Sequence, residues 1–226
     1  MRSLPTDPTE LRAAYAYPDR PWLRANMISS LDGAAWYETR TEALGSPADQ
    51  RLFALLRELA DVVIVGAETV RVEGYGPVKP GPDGVPTPLA IVSRRLDLDF
   101  DAPIFTAGPA IVLTAETAPA DRLRAAAERA EVIVAGRDGV DFGVVRAELA
   151  ARGHTRLLCE GGPSVLGRAV LDGALDELCL TLSPALVGGD PSRILTGPPL
   201  PAPDRMRLSQ AMVDDDFLFL RYVRGR

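Results

Sequence analysis

The chain has 226 residues, 46% hydrophobic and 25% charged, which is enough apolar material for one sizeable core. Its net charge of -6 argues against a nucleic-acid partner, because a phosphate backbone would be repelled. The single histidine, His154, and the two cysteines, Cys159 and Cys179, show no metal-ligand spacing and no disulfide framework, so no metal is expected.

The first 20 residues lack the apolar stretch of a signal peptide and read as a polar leader, ordered in part, before a single domain over 21–226. No apolar run approaches the roughly 18 residues that a membrane helix needs. The chain is therefore read as cytoplasmic, with no membrane partner. WLRANMIS (22–29) reads as a strand, and the stretch after it as a loop. Ser46 followed by Pro47 is a helix start, and Leu52, Leu55, Leu56 and Leu59 then recur on one face. DVVIVG (61–66) is apolar throughout, as a strand buried on both sides should be. AETVR opens a short helix, and a long Gly/Pro loop follows over 73–88.

The alternation continues through strands LAIVSR, AIVLTA, EVIVAG and TRLLCEGG and helices over 118–130, 141–153 and 163–173. ELCLTLSPALVGG and MRLSQAMVDDDFLFLRYVR are long strand runs with no helix between or after them. The order predicts an α/β fold: a mainly parallel, mixed sheet flanked by helices, with antiparallel strands at the C-terminal edge.

Polar residues gather where strands end, which is where α/β sheets bind ligands. In CEGGPSV the glycines let a backbone approach an anion, and the free N–H groups of the following helix point at it. Pro163 suits the first helical position, Ser164 adds a hydroxyl, and Glu160 stands at the mouth. A plain strand-to-helix turn remains the alternative. Asn26, Ser29, Ser30 and Asp32 cluster after the first strand, either as an Asx turn or as a site for a polar small molecule. Thr69 and Glu73 share a helical face. Ser93 and Arg94 end another strand, and an arginine beside a hydroxyl suits a monoester phosphate. Neither G-x-G-x-x-G nor a P-loop occurs.

Three stretches, RPWLRANMISSLDGAA, ADVVIVGAETVRVEGYGP and LLCEGGPSVLGRAVLDGALDELCLTLSPALVGG, together resemble the reductase domain of riboflavin biosynthesis, over roughly residues 20–224. That resemblance implies a dihydrofolate-reductase-like fold, a homodimer, and NADPH-dependent reduction of a ribosylaminopyrimidine phosphate of the 5-amino-6-(5-phosphoribosylamino)uracil type. It implies that Ser30, Asp32 and Gly33, with Asn26, Ser29 and Glu160, hold the substrate. Gly66, Thr69, Val70, Glu73, Gly161 and Gly162 fall to the cofactor, as do Ala67, Gly136, Pro163, Ser164 and Val165, with Ser93 and Arg94 at its 2′-phosphate. Asp32 and Glu160 are the candidate proton donors.

The chain departs from the family pattern at EGYGPVKP, where D-D-P-x-L-T is common, and at Asn26, where a lysine is common. No zinc-deaminase signature accompanies it, so a stand-alone reductase is expected. The rival readings are an NADPH-dependent reductase of a dihydropteridine or dihydrofolate, a catalytically silent NADPH-binding protein, and a phosphosugar-binding α/β protein that does not use NADPH.

Overall fold

The computed structural model of the protein describes residues 2–78 and 84–225. The centre of the Gly/Pro loop, including Lys79 and Pro80 of EGYGPVKP, lies outside the described residues. The chain runs β1 (Arg2–Ser3), α1 (Pro8–Ala14), β2 (Trp22–Ser29), α2 (Pro47–Leu59), β3 (Val62–Gly66), α3 (Ala67–Glu73), β4 (Leu89–Val92), α4 (Pro103–Thr106) and β5 (Ala110–Thr114). It continues α5 (Ala120–Ala127), β6 (Glu131–Val134), α6 (Phe142–Ala151), β7 (Arg156–Cys159), α7 (Pro163–Leu171), β8 (Glu177–Leu182), β9 (Met206–Asp214) and β10 (Phe217–Arg224).

Among the described residues the strands form one 10-stranded sheet in the order β1-β9-β10-β8-β2-β7-β3-β4-β5-β6. From β8 to β6 the neighbours are parallel, whereas β10 runs antiparallel to both β8 and β9. This is the expected architecture. Side chains alternate across the sheet, so each central strand feeds two cores. Val63, Val65 and Leu158 pack on one face beneath the leucines of α2. Val62, Ile64, Leu157 and Cys159 pack on the other with Phe142, Val145 and Leu149 of α6 and Leu166 of α7. The helix start at Ser46 is as read: its hydroxyl accepts the Asp49 N–H at 3.1 Å, with Pro47 next in line.

Several expectations change. The polar leader folds back instead: β1 pairs with β9, Asp7 caps α1, and Leu4, Leu11 and Tyr15 are buried in the first core. The final strand run is a hairpin, turning at Asp215 and Asp216, which both have positive φ. Two consecutive left-handed residues make the tight turn that matches strand twist, and aspartate tolerates that conformation. The run 177–189 is a strand only to Leu182, because Pro184 has no N–H to donate and Gly188 and Gly189 both turn left-handed.

A buried charge cluster ties the sheet's two halves together. The Arg24 and Glu177 side chains are fully buried and meet at 2.7 Å. Glu177 also accepts Arg221 from β10 at 2.9 Å and the Trp22 indole N–H at 2.9 Å. Despite burial, these cations hold the Glu177 carboxyl below its ordinary pKa.

Beyond β8, a long loop crosses α7 so closely that a Cβ at Gly167 would collide with the Thr196 carbonyl oxygen. Gly167→Ala is expected to lower stability by about 1–3 kcal/mol through overpacking, read as a lower urea midpoint with an unchanged slope.

Candidate active site

The site begins with strand order. Because β7 is inserted between β2 and β3, the turns β3–α3 and β7–α7 lie side by side. The Gly66 N–H donates to the Gly161 carbonyl at 2.8 Å, and the Glu160 N–H donates to Ile64 at 2.9 Å. The approach depends on missing side chains. A Cβ on Gly162 would stand 2.7 Å from the Thr69 hydroxyl, and one on Gly66 would stand 3.0 Å from Val165. Gly161 has φ +86, which favours glycine.

No side chain caps α3 or α7, so their first-turn N–H groups stay available to a ligand. These two helix starts line a cleft of about 490 Å³, with Ala67, Thr69, Glu73, Pro163, Ser164 and Val165 on its wall. Ser93, Arg94 and Arg95 close one end. Ser93 is buried and its hydroxyl accepts the Leu96 N–H at 3.0 Å, while Arg94 and Arg95 are exposed. The cradle, the open amides and the exposed arginines fit a dinucleotide carrying a phosphate monoester.

A second cleft, of about 670 Å³, opens beside the first and is lined by Asn26, Asp49, Gln50, Phe53, Arg57 and Tyr75, among others. The clefts share Met27, Ala35, Thr41, Thr69, Glu73 and Glu160. At this junction the Glu160 side chain is only 2% exposed and Arg57 grips it in a bidentate pair, with Nε to Oε1 at 2.6 Å and Nη2 to Oε2 at 2.7 Å. The Tyr75 hydroxyl donates to Oε2 at 2.8 Å. The guanidinium also stacks over Phe53 at 4.2 Å. Burial, followed by the Glu160 charge, pushes the Tyr75 phenol well above its ordinary pKa. Burial works against the Arg57 charge, yet its bonds to Glu160 raise its pKa. Glu160 is therefore an acceptor with both oxygens engaged.

Asp32 sits elsewhere. It is exposed, lines neither cleft, and accepts the Ser30 hydroxyl at 2.5 Å and the Gly188 N–H at 2.7 Å. The Ser30 bond, then the Gly188 and Val187 amides, lower its pKa to about 2. Such a group clamps two loops and carries no proton near neutral pH. Ser29, Ser30 and Gly33 belong to the same clamp and also stay outside both clefts. Val70 is buried in the core, and Gly136 shapes a turn whose neighbours Gly139 and Val140 reach the first cleft instead. Arg57, Tyr75 and Asp49 were not singled out in the sequence. Arg57 lies beside the leucine stripe of α2, and its partner is 103 residues away, so no local spacing betrays it. Among the described residues no cluster of metal-ligating side chains occurs.

A family model described as the RibD C-terminal domain matches residues 21–216. Two curated relatives share the name 2,5-diamino-6-ribosylamino-4(3H)-pyrimidinone 5′-phosphate reductase. The one from Methanothermobacter thermautotrophicus is 28% identical over 180 residues, covering 78% of this chain and 83% of its own. That from Aquifex aeolicus is 31% identical over 187 residues, covering 79% of this chain and 84% of its own. Among solved structures, a pyrimidine reductase-like protein from Corynebacterium diphtheriae matches with a TM-score of 0.83 at 28% identity, covering 95% of this chain and 98% of that one.

Removing Arg57 leaves Glu160 buried without its cation. Arg57→Met is expected to cost about 3 kcal/mol in urea unfolding, and Arg57→Lys to recover only part because it loses the bidentate fork.

Proposed function

The chain belongs to the RibD C-terminal domain family, and on that premise we propose that it reduces a ribosylaminopyrimidine 5′-phosphate to its ribitylamino form at the expense of NADPH. The observation that carries this reading is the junction itself: a glycine cradle with two uncapped helix starts opens directly onto a polar cleft at Glu160. NADPH, when bound, supplies the hydride.

The chain's own residues do the rest. First-turn amides of α3 and α7 hold the pyrophosphate, and the glycines let it come close. Arg94 and Arg95, beside Ser93, take the 2′-phosphate that distinguishes NADPH from NADH. The substrate lies in the second cleft with its sugar carbon facing the junction. Arg57 and Tyr75 fix Glu160 as one immobile wall of that junction, where it orients the sugar. Asp32 is outside the cleft, and its pKa of about 2 leaves it nothing to donate near neutral pH. The proton taken up by the substrate nitrogen comes from cleft water, with Thr69 and Glu73 on the shared wall to orient it. The same membership supports a cytoplasmic homodimer.

The test is the loss of NADPH absorbance with purified protein, offered the ribosylaminopyrimidine phosphate and dihydrofolate in parallel. Reduction of the first is the expected outcome. Reduction of dihydrofolate alone would make this a pterin reductase, and a melting temperature raised by NADPH without turnover of either would make it a silent binder. Arg94→Ala is expected to weaken NADPH binding by about tenfold, roughly the loss of one charge-assisted hydrogen bond, while sparing NADH. Equal losses for both cofactors would remove Arg94 from the 2′-phosphate site.

A further inference from the structure

Asp49 lines the second cleft and has no part in the chemistry above. It is the third residue of α2, a position from which an acid often reaches back to the cap residue's N–H. Its carboxylate makes no hydrogen bond there and lies near Thr181, a buried residue on β8 whose hydroxyl partly offsets the effect of burial. Among the described residues it has no cationic partner. Arg57, the arginine on this wall, is committed to Glu160. Burial lifts the Asp49 pKa above the ordinary carboxylate value, the mark of an acid short of donors. Asn26 lies on the same wall, from the neighbouring strand β2.

A half-buried carboxylate with no cation and no hydrogen-bonded donor has unfilled acceptor sites, and in a ligand cleft the N–H groups of a ligand can fill them. Two oxygens in one plane match two parallel N–H donors. A pyrimidinone with an amino group at C2 offers such a pair, the exocyclic amine and the adjacent ring N–H. A uracil ring puts a carbonyl oxygen at C2 instead, and so sets acceptor against acceptor. The Asn26 amide can donate to the carbonyl at C4.

We propose that Asp49 reads the C2 amino group of the pyrimidine ring and makes this enzyme select the 2-amino substrate over its deaminated, uracil-type counterpart. The proposal rests on the reductase reading above and narrows its substrate to the 2-amino compound. A matched bidentate pair contributes about 1–3 kcal/mol of discrimination between bases. The expected preference in kcat/KM is therefore about 10- to 100-fold.

The experiment compares kcat/KM for 2,5-diamino-6-ribosylamino-4(3H)-pyrimidinone 5′-phosphate and for 5-amino-6-(5-phosphoribosylamino)uracil, in the wild type and in Asp49→Asn and Asp49→Ala. Each ratio is internal to one variant, so a general loss of stability or activity cancels. The wild type should favour the diamino compound. Asp49→Asn, whose amide can donate to a C2 carbonyl, should shrink or invert that preference, and Asp49→Ala should flatten it. Equal use of both substrates by the wild type, or an unchanged ratio in both variants, overturns the role of Asp49 and leaves the reductase reading intact. Reduction of neither compound by the wild type overturns both.

Discussion

The contact on which the site depends is one hydrogen bond between two turns, from the Gly66 N–H to the Gly161 carbonyl. It exists because the chain, having laid β3 to β6 outward in order, returns to place β7 between β2 and β3. That insertion aligns two strand-to-helix turns and points two helix N-termini into one cleft. A Cβ at Gly66 or Gly162 would crowd the Val165 and Thr69 side chains, which already occupy that space. The absence of caps on α3 and α7 has the same logic. Amides that a serine or aspartate would satisfy elsewhere are left open to the cleft.

Asp32 and Glu160 show how environment assigns work to residues of the same type. Each follows a strand end, and each is a plausible acid from the sequence alone. Asp32 collects neutral donors at the surface and joins the loop after β2 to the loop after β8. Glu160 is enclosed, and a guanidinium and a phenol close over it. A charge in that position is tolerable only with a matched cation and full hydrogen bonding, and Arg57 supplies both. Both carboxylates hold geometry, Asp32 between two loops and Glu160 between a helix and a loop.

Most of the fold was legible because its signals are local. β2 and the start of α2 at Ser46 and Pro47 follow from apolar periodicity and cap chemistry, as do the all-apolar β3 and the glycine turn after β7. What failed was longer in range or finer in scale. The leader looked polar because its three anchors, Leu4, Leu11 and Tyr15, are too widely spaced to form a pattern. The hairpin at Asp215 was hidden by an acidic run that resembles a solvated strand. In the site, the two glycine turns could be read but the Arg57–Glu160–Tyr75 clamp could not, because its members come from a helix, a strand end and a loop that only the completed fold brings together. Asp32 was read as a site residue because its motif sits at a strand's carboxyl end. In the structure it clamps the loop after β8, outside the lining of both clefts.

The antiparallel half of the sheet also shapes the clefts, through register. Glu177, at the start of β8, receives Arg24 from β2, Arg221 from β10 and the Trp22 indole. The cluster is costly to bury, and its return is positional, since a slip of either strand would strand a charge in the core. With β8 pinned at that end, Thr181 pairs with Ile28 and Cys179 with Asn26. A slip of one residue would send Thr181 to the opposite face, away from Asp49. The wall of the second cleft that carries Asn26 and Asp49 thus depends on a buried ion cluster that lines no part of it.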